Sequence, residues 1–186
     1  MEVYVVLKIL LKNEFVTDRL YLRKMKETDS KRLFEIWSDP VVTKYMNIEV
    51  LSQEEQAKEI IQLINELANE NKAIRYSIIE KQTKEIIGTC GFNEIDEEYG
   101  IVEIGYELDQ LFWGKGYAPE AITCLVQYAF AELKLTEIIA KVNHKNNNSI
   151  RALQKLGFTF KEIVREYEES IDRYMNFNVY CKRNTL

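Results

Sequence analysis

The 186-residue chain has little proline, glycine, histidine or cysteine, and each shortage excludes a class of protein. Two Pro and seven Gly are too few for a collagen-like, linker-like or low-complexity chain. The only histidine, His144, excludes metal sites built from several histidines, and it leaves a Ser-His-Asp triad only if His144 itself is the base. Cys90, Cys124 and Cys181 lie far apart and form no Cys-x-x-Cys pair, which favours a reducing, cytoplasmic setting.

Long apolar runs and an excess of positive charge are also missing. Residues 1–11 are apolar but too short to span a bilayer, and Glu2 stands where a signal peptide has a basic start. We interpret this start either as an extra edge strand or as an extension from an upstream start codon, and we divide the chain into an N-terminal segment, 1–14, and a single domain, 15–186. The net charge of −5 argues against duplex nucleic acid as the main ligand, and we expect no nucleic-acid or membrane partner.

Apolar periodicity and turn signals predict elements in the order β α α β β β α β α β β. The predicted strands are residues 20–23, 74–80, 85–92, 101–108, 137–142, 158–165 and 173–181. The first predicted helix follows the N-cap Thr28 and ends at Pro40, and the second starts at the capping box 52–55. The third runs along the apolar stripe 118–133, and the fourth spans residues 149–156.

The strand–helix–strand passage through residues 101–142 makes its two strands parallel, whereas short polar turns join the strands before it as an antiparallel meander. The predicted fold class is therefore α+β and α/β sandwich-like. It has a mixed, mostly antiparallel twisted sheet, a central parallel strand pair and about four helices. Such a sheet binds ligands beyond the carboxyl ends of its parallel strands.

Two glycines one residue apart, Gly114 and Gly116, separate a predicted strand from the long helix. Glycines let the backbone turn sharply, and their N–H groups with those of the helix start suit a pyrophosphate, to which Lys115 adds a charge. A dinucleotide fingerprint needs a small residue where Pro119 stands, and a P-loop does not continue with Tyr117. A tight turn without a ligand explains the same residues locally. No acidic magnesium ligand is evident, so a metal-free diphosphate is the favoured ligand.

Four groups of motifs follow one another along the chain. They are Thr17-Asp18-Arg19-Leu20-x-Leu22-Arg23 with Asp39-Pro40, Glu103-Ile104-Gly105-Tyr106-Glu107-Leu108, Trp113-Gly114-Lys115-Gly116-Tyr117-Ala118-Pro119-Glu120-Ala121, and Asn146-x-x-Ser149 with Leu156-Gly157-Phe158. Over residues 15–183 the chain resembles the GNAT superfamily of N-acetyltransferases, and more closely its RimJ/RimL-like branch, the ribosomal-protein N-terminal acetyltransferases. The resemblance implies a GNAT acyl-CoA N-acyltransferase fold, acetyl-CoA as co-substrate, no metal, and an amine acceptor. A homodimer is compatible with this branch.

The resemblance also implies roles in coenzyme binding. The glycine loop, defined here as residues 113–118, would hold the coenzyme A pyrophosphate by its N–H groups. The main chain of 106–108 would bind the pantetheine arm, which would run between this strand and the strand at 137–142. The implied coenzyme-binding residues are Tyr106, Glu107, Leu108, Trp113, Gly114, Lys115, Gly116, Tyr117, Ala118, Asn146 and Ser149.

The implied catalytic groups are Ser149 and the backbone N–H of Leu108, which would polarise the acetyl carbonyl. Many members carry a Gln or Arg at the position of Leu111 and a Tyr acid at the position of Leu153, and this chain lacks both. Ser149, or water, is therefore expected to protonate the departing thiolate.

Glu103 is the first candidate base because apolar neighbours flank it, Glu107 is the second, and the alternative is that Glu103 is a salt-bridged sheet carboxylate. Three functions remain open. They are acetylation of a protein α-amine, acetylation of a small amine (a polyamine, amino sugar or amino acid), and acyl-CoA binding without turnover.

Overall fold

The computed structural model of the protein describes residues 11–46, 48–168 and 172–185. The strands are β1 (Glu14–Val16), β2 (Leu20–Lys24), β3 (Ile74–Glu80), β4 (Ile86–Asp96), β5 (Ile101–Leu108), β6 (Glu137–Asn143), β7 (Thr159–Glu168) and β8 (Arg173–Arg183). The helices are α1 (Ser30–Trp37), α2 (Pro40–Thr43), α3 (Glu54–Asn69), α4 (Tyr117–Ala131) and α5 (Asn147–Lys155). The predicted N-terminal segment lies mostly outside the described residues, so its assignment stays a prediction.

The eight strands form one sheet in the order β1-β2-β3-β4-β5-β6-β8-β7. Every neighbouring pair is antiparallel except β5 and β6, which α4 connects and which run parallel. The predicted fold class, a mixed and mostly antiparallel sheet with a central parallel pair, is confirmed. The described residues form five α-helices instead of about four because the short helix α2 was not foreseen.

Helices cover both faces of the sheet. Along β5, the side chains of Val102, Ile104 and Leu108 are buried in the apolar cluster that contains α4 and α5. Because successive side chains of a strand point to opposite faces, Glu103 and Glu107 lie on the other face, towards α1. The residues of α1, α2 and α3 form a second apolar cluster there. Among the described helices, none combines the length and apolarity that crossing a bilayer requires.

The prediction that Pro40 closes the first helix is wrong. Helix α1 ends at Trp37, and Pro40 begins α2, because the first helical position needs no N–H donor and accepts the fixed φ of proline. Asp39 caps α2 by accepting a hydrogen bond from the Val41 N–H at 2.8 Å. A proline that follows an apolar helical stripe can therefore start a new turn as well as end an old one.

Two other helix starts differ from the predicted ones. A short 3-10 turn at Glu27–Asp29 precedes α1, which begins at Ser30 and is not capped by Thr28. The N-cap of α3 is Gln53, and the Gln56 side chain reaches back to accept from the Gln53 N–H at 3.0 Å. The capping box is thus one residue later than predicted.

Asp29 fastens the start of α1 to the sheet. Its carboxylate, only 3% exposed, accepts two 2.7 Å hydrogen bonds from the Arg23 guanidinium, one from the Ser77 hydroxyl at 2.8 Å and one from the Lys26 N–H at 2.9 Å. Burial alone would raise the pKa of Asp29, but these donors outweigh it and hold the pKa below the ordinary 3.8. The charged carboxylate is therefore the form that the folded state stabilises.

We expect the Asp29→Asn substitution to lower the free energy of unfolding at pH 7 by about 2 kcal/mol, because it weakens hydrogen bonds made to a charge. A depressed pKa contributes stability above pH 3.8, and this contribution is lost as the pH falls through the folded-state pKa. Urea denaturation at pH 7 and at pH 3 should therefore show the difference from wild type shrinking in acid. The exposed Glu55→Gln variant is the control, and an Asp29→Asn deficit of equal size at both pH values would contradict this account.

Candidate active site

The parallel strands β5 and β6 separate part way along their length. They pair at Ile101–Glu137, Val102–Ile138 and Glu103–Ile139, and the pairing stops there although both strands continue. Beyond that point β5 remains paired with β4, and β6 remains paired with β8. The two halves of the sheet thus diverge and leave a fork, which we define as residues 104–108 of β5 and 140–143 of β6.

The open edge of β5 presents main-chain groups to the fork. The Asp109 N–H donates to the Ile87 carbonyl at 2.9 Å, which makes these residues a hydrogen-bonded pair of the β4–β5 ladder. Because such pairs alternate along an antiparallel ladder, Tyr106 and Leu108 direct their N–H groups to the opposite edge, towards the fork. The Leu108 carbonyl on that edge accepts a 2.7 Å hydrogen bond from the Trp113 indole.

The glycine loop carries five consecutive backbone N–H groups that are not paired within the described part of the chain, those of residues 114–118. Gly114 has φ +72° and Gly116 has φ +81°, a region that side-chain-bearing residues rarely adopt. A Cβ added at Gly114 would meet no atom within 4 Å, so the loop is open to solvent. Because Gly116 is the N-cap of α4, the free N–H groups coincide with the positive end of a helix dipole.

This arrangement of N–H groups suits a diphosphate. Unpaired donors at a helix start bind anions without a metal ion, and the exposed glycines let a ligand approach the backbone. Lys115, expected to add a charge, has its ammonium 5.2 Å from the centre of the Phe112 ring. The described residues hold no group of three or more His, Cys, Asp or Glu side chains arranged to bind a metal ion.

Two hydroxyl groups meet beside the fork, on the sheet face that α4 and α5 cover. The Tyr106 and Ser149 oxygens are 2.8 Å apart, so a hydrogen bond joins β5 to α5. Asn146 caps α5 by accepting from the Ser149 N–H at 3.2 Å, so the cap uses the Ser149 main chain and not its hydroxyl. Burial raises the pKa of Tyr106 above its ordinary 10.0, although the bond to Ser149 partly lowers it, and the phenol therefore keeps its proton at neutral pH.

Glu103 lies where the fork begins, on the sheet face opposite the hydroxyl pair. Its carboxylate accepts from the Asn93 amide at 3.1 Å and pairs with the Lys141 ammonium at 3.0 Å. Lys141 also pairs with Glu166 at 2.9 Å. Burial alone would lower the pKa of Lys141, but the two carboxylates outweigh it and hold the pKa above its ordinary value. The apolar neighbours of Glu103 in sequence point to the other face, so its surroundings are polar and ionic.

Glu107, the second candidate base, is held in a buried network. Its carboxylate accepts from the Trp37 indole at 3.1 Å, and it also binds the Thr89 hydroxyl and the Arg75 guanidinium. Only 7% of its side chain is exposed. These three donors come from α1, β4 and β3, so the Glu107 carboxylate ties β5 to its neighbours and supports the sheet.

Arg75 extends the network towards Glu103. It donates to the Asn93 amide oxygen at 2.6 Å, and Asn93 in turn donates to Glu103. Two glycines make room for these side chains, since a Cβ at Gly91 would fall 3.0 Å from the Arg75 Cγ and one at Gly105 would overlap the Asn93 amide. The side chains therefore lie flat across the sheet face.

The structure brings the predicted residues together in two groups on opposite faces. Tyr106, Ser149 and Asn146 lie on the face that α4 and α5 cover, and Glu103 lies on the face towards α1. The fork connects the two faces. The Tyr106 hydroxyl and the Lys141 ammonium were missed in the sequence, since their partners are distant in sequence and no local pattern marks them. A surface cavity of about 670 Å³ lies elsewhere, near Gly157 and Thr159.

The chain matches a family model described as an acetyltransferase (GNAT) domain over residues 19–159. The uncharacterized N-acetyltransferase p20 of Bacillus licheniformis is 50% identical over 163 residues, which cover 86% of this chain and 92% of that protein. The ribosomal protein uS5-alanine N-acetyltransferase of Escherichia coli (strain K12) is 25% identical over 168 residues, covering 84% and 83%. RimL, a ribosomal L7/L12 alpha-N-protein acetyltransferase solved in complex with coenzyme A, has the same fold, with a TM-score of 0.77, 21% identity and coverage of 91% and 97%.

Proposed function

Because the chain belongs to the acetyltransferase (GNAT) family, we propose that it transfers the acetyl group of acetyl-CoA to the N-terminal α-amine of a protein. The observation that carries the proposal is the fork between β5 and β6, with the unpaired N–H groups of the glycine loop beside its open end. Trp113 joins the two features, because its indole binds the Leu108 carbonyl.

The described residues fit the coenzyme. The N–H groups of residues 114–118 bind its diphosphate, and the free edge of β5 binds the pantetheine arm as an added strand. Bound acetyl-CoA supplies an activated thioester carbonyl. Asn146 retains its amide nitrogen as a donor towards the arm, because only its oxygen is used to cap α5.

Three groups of the chain act on the reacting atoms in this proposal. The Leu108 N–H, directed into the fork, stabilises negative charge on the carbonyl oxygen as the amine attacks. The Ser149 hydroxyl, supported by the Tyr106 phenol, gives a proton to the departing thiolate as the C–S bond breaks. Glu103, five residues before Leu108 on β5, attracts the cationic amine towards the fork, and the proton that the amine releases reaches Glu103 through water as the amide forms. Positioning in the fork supplies much of the rate enhancement.

The state of the candidate bases supports an α-amine acceptor. An amine attacks only when neutral, and at pH 7 about one α-amine in ten is neutral, against about one lysine side chain in 2,500. The carboxylates nearest the fork are already ion-paired, Glu103 with Lys141 and Glu107 with Arg75. An α-amine loses its proton more readily than a lysine side chain and so needs less help from these carboxylates. The name of the E. coli relative, which specifies an alanine of a ribosomal protein, supports the same class of acceptor.

Thiol release from acetyl-CoA tests the acceptor class directly. One arm uses short peptides with a free N-terminus and no lysine. A matched arm uses peptides of the same length and sequence, except that the N-terminus is blocked and one residue is replaced by lysine. A third arm contains a polyamine, an amino sugar and free amino acids. We expect release with the free N-termini. Release with small amines alone would overturn the proposed acceptor, and tight coenzyme A binding without release for any amine would identify a binding module.

We expect the Glu103→Gln substitution to lower kcat about a hundredfold while the dissociation constant for coenzyme A stays unchanged, since the Glu103 side chain lies outside the glycine loop and on the sheet face opposite the Tyr106–Ser149 hydroxyl pair. Steady-state kinetics and isothermal titration calorimetry measure the two effects. The matched control is Glu59→Gln, which changes an exposed carboxylate on α3. A wild-type rate in Glu103→Gln would remove Glu103 as the base.

A further inference from the structure

Arg19 comes from outside the glycine loop but makes two contacts with the loop and one with the first turn of α4. It stands in the connection from β1 to β2, just before Leu20. Its Nη1 donates to the Lys115 carbonyl at 2.9 Å, its Cζ lies 4.5 Å from the centre of the Tyr117 ring, and its Nε pairs with Glu120 at 2.7 Å. The guanidinium therefore bridges the loop to the first turn of α4.

The bond to the Lys115 carbonyl bears on how the loop presents its donors. A peptide unit directs its carbonyl and its N–H to opposite sides, so the bond from Nη1 to the Lys115 oxygen fixes the direction of the following N–H, that of Gly116. The stacked Tyr117 ring restricts the next residue. Arg19 thus holds the loop in the conformation that exposes its N–H groups.

Arg19 also pairs with the Glu120 carboxylate. This carboxylate lies in the first turn of α4, where its negative charge would repel an anion held by the loop. It accepts from the Thr17 hydroxyl at 2.6 Å and from both the backbone N–H and the side chain of Arg19. Burial alone would raise the pKa of Glu120, but these donors outweigh it and hold the pKa below its ordinary value. Arg19 therefore neutralises a charge that stays ionised beside the anion site.

The remaining nitrogen of Arg19 is available to a ligand. Nη2 has no acceptor among the residues in the described ranges, and 44% of the side chain is exposed. A Cβ built on Gly116 would come within 3.4 Å of Nη2, so this nitrogen flanks the turn that carries the unpaired N–H groups. A guanidinium in this setting is well suited to phosphate oxygens.

We propose that Arg19 is a diphosphate-binding and loop-positioning residue, which shapes the glycine loop, cancels the charge of Glu120 and offers Nη2 to the diphosphate of the coenzyme. This inference rests on the proposed function in that the anion is the diphosphate of coenzyme A. It assigns to the β1–β2 connection a part of the coenzyme site that the loop motif does not contain.

Calorimetric titration with coenzyme A tests the assignment without turnover. Loss of hydrogen bonds to a charged ligand should raise the dissociation constant of Arg19→Met about tenfold to hundredfold. Arg19→Lys keeps the charge but not the planar donor set and should recover only part of the affinity. Arg183→Met, which removes a 75% exposed guanidinium that pairs with Glu137, is the control and should bind as wild type does.

Two further readouts separate this role from a purely structural one. S-acetylpantetheine lacks the diphosphate, so Arg19→Met should lower kcat/KM for acetyl-CoA but leave the value for S-acetylpantetheine unchanged. The double variant Arg19→Met/Glu120→Gln should bind coenzyme A more tightly than Arg19→Met alone, because the uncompensated charge is removed. Equal losses with both thioesters, or wild-type affinity in Arg19→Met, would overturn the assignment. Absence of coenzyme A binding by the wild type would instead overturn the proposed function.

Discussion

Replacing Gly114 by valine is expected to raise the dissociation constant for coenzyme A about a hundredfold or more. The reason is steric and local, because the new side chain enters the open space in front of the loop, where a Cβ meets no protein atom within 4 Å. Loss of two charge-assisted hydrogen bonds from the loop costs about 3 kcal/mol, which corresponds to about a hundredfold in affinity. Gly116→Val should act similarly, because φ +81° at the N-cap of α4 disfavours a β-branched residue.

The control for this prediction must carry the same backbone strain away from the loop. Gly100 has φ +67°, close to the +72° of Gly114, and its Cβ would meet the Thr136 side chain at an ordinary 3.4 Å. Gly100→Val should therefore lose about 1–2 kcal/mol of stability, as Gly114→Val does, while it retains coenzyme affinity. Calorimetry and urea denaturation on both variants separate the two effects. Unchanged affinity in Gly114→Val and in Gly116→Val would remove the loop from the coenzyme site.

The Arg75→Met substitution is expected to lower the free energy of unfolding by about 3–5 kcal/mol, because it leaves the Glu107 carboxylate buried without its charged partner. Arg75 is 13% exposed and Glu107 7% exposed, so water does not replace the lost interaction. Urea denaturation at pH 7, followed by tryptophan fluorescence, measures the loss. The same change should weaken the attachment of residues 104–108 of β5, which border the fork, since Arg75 on β3 reaches across β4 to Glu107.

A double-mutant cycle checks that the unpaired charge is the cause. Arg75→Met/Glu107→Gln removes both charges, and we expect it to be more stable than Arg75→Met alone. Arg183→Met breaks a pair in which the arginine is 75% exposed, and it should cost less than about 1 kcal/mol. A loss below 1 kcal/mol in Arg75→Met would show that Glu107 tolerates burial without Arg75.

Much of the fold could be predicted because its elements carry local periodic patterns. The strands at 74–80 and 101–108 have the predicted bounds, and the parallel relation of β5 and β6 follows from the helix between them. Strand β4 runs on to Asp96, beyond the predicted end at residue 92, because a bulge between Phe92 and Glu94 shifts the alternation and polar residues there imitate a turn.

The extent of the fork was not predictable from local pattern. It depends on where β5 and β6 stop pairing, and that point is determined by the partners that each strand keeps on its other side, β4 and β8. The sequence order of strands predicts which ones are neighbours more readily than it predicts how far each pair extends.

The candidate active site also combines features that local sequence predicts with contacts that only the fold creates. The glycine loop and the Asn146 cap are short-range features, so their residue types and spacing identify them. The Tyr106–Ser149 hydroxyl pair and the contact of Arg19 with Lys115 join segments that are distant in the chain, and only the folded sheet brings them together. The surroundings of Glu103 differ from the expected apolar ones for a similar reason, since Lys141 and Asn93 belong to the strands on either side of it.

In the proposed complex the main-chain amides of residues 114–118 hold the diphosphate of coenzyme A. Amide NMR spectra of ¹⁵N-labelled protein, recorded while coenzyme A is added, test it most directly because they report on these N–H groups themselves. The account predicts that the five amide signals shift and exchange more slowly with solvent, while the amides of Gly100 and Gly157 stay in place. Unmoved signals from residues 114–118 at a coenzyme A concentration that saturates the calorimetric binding curve would contradict it.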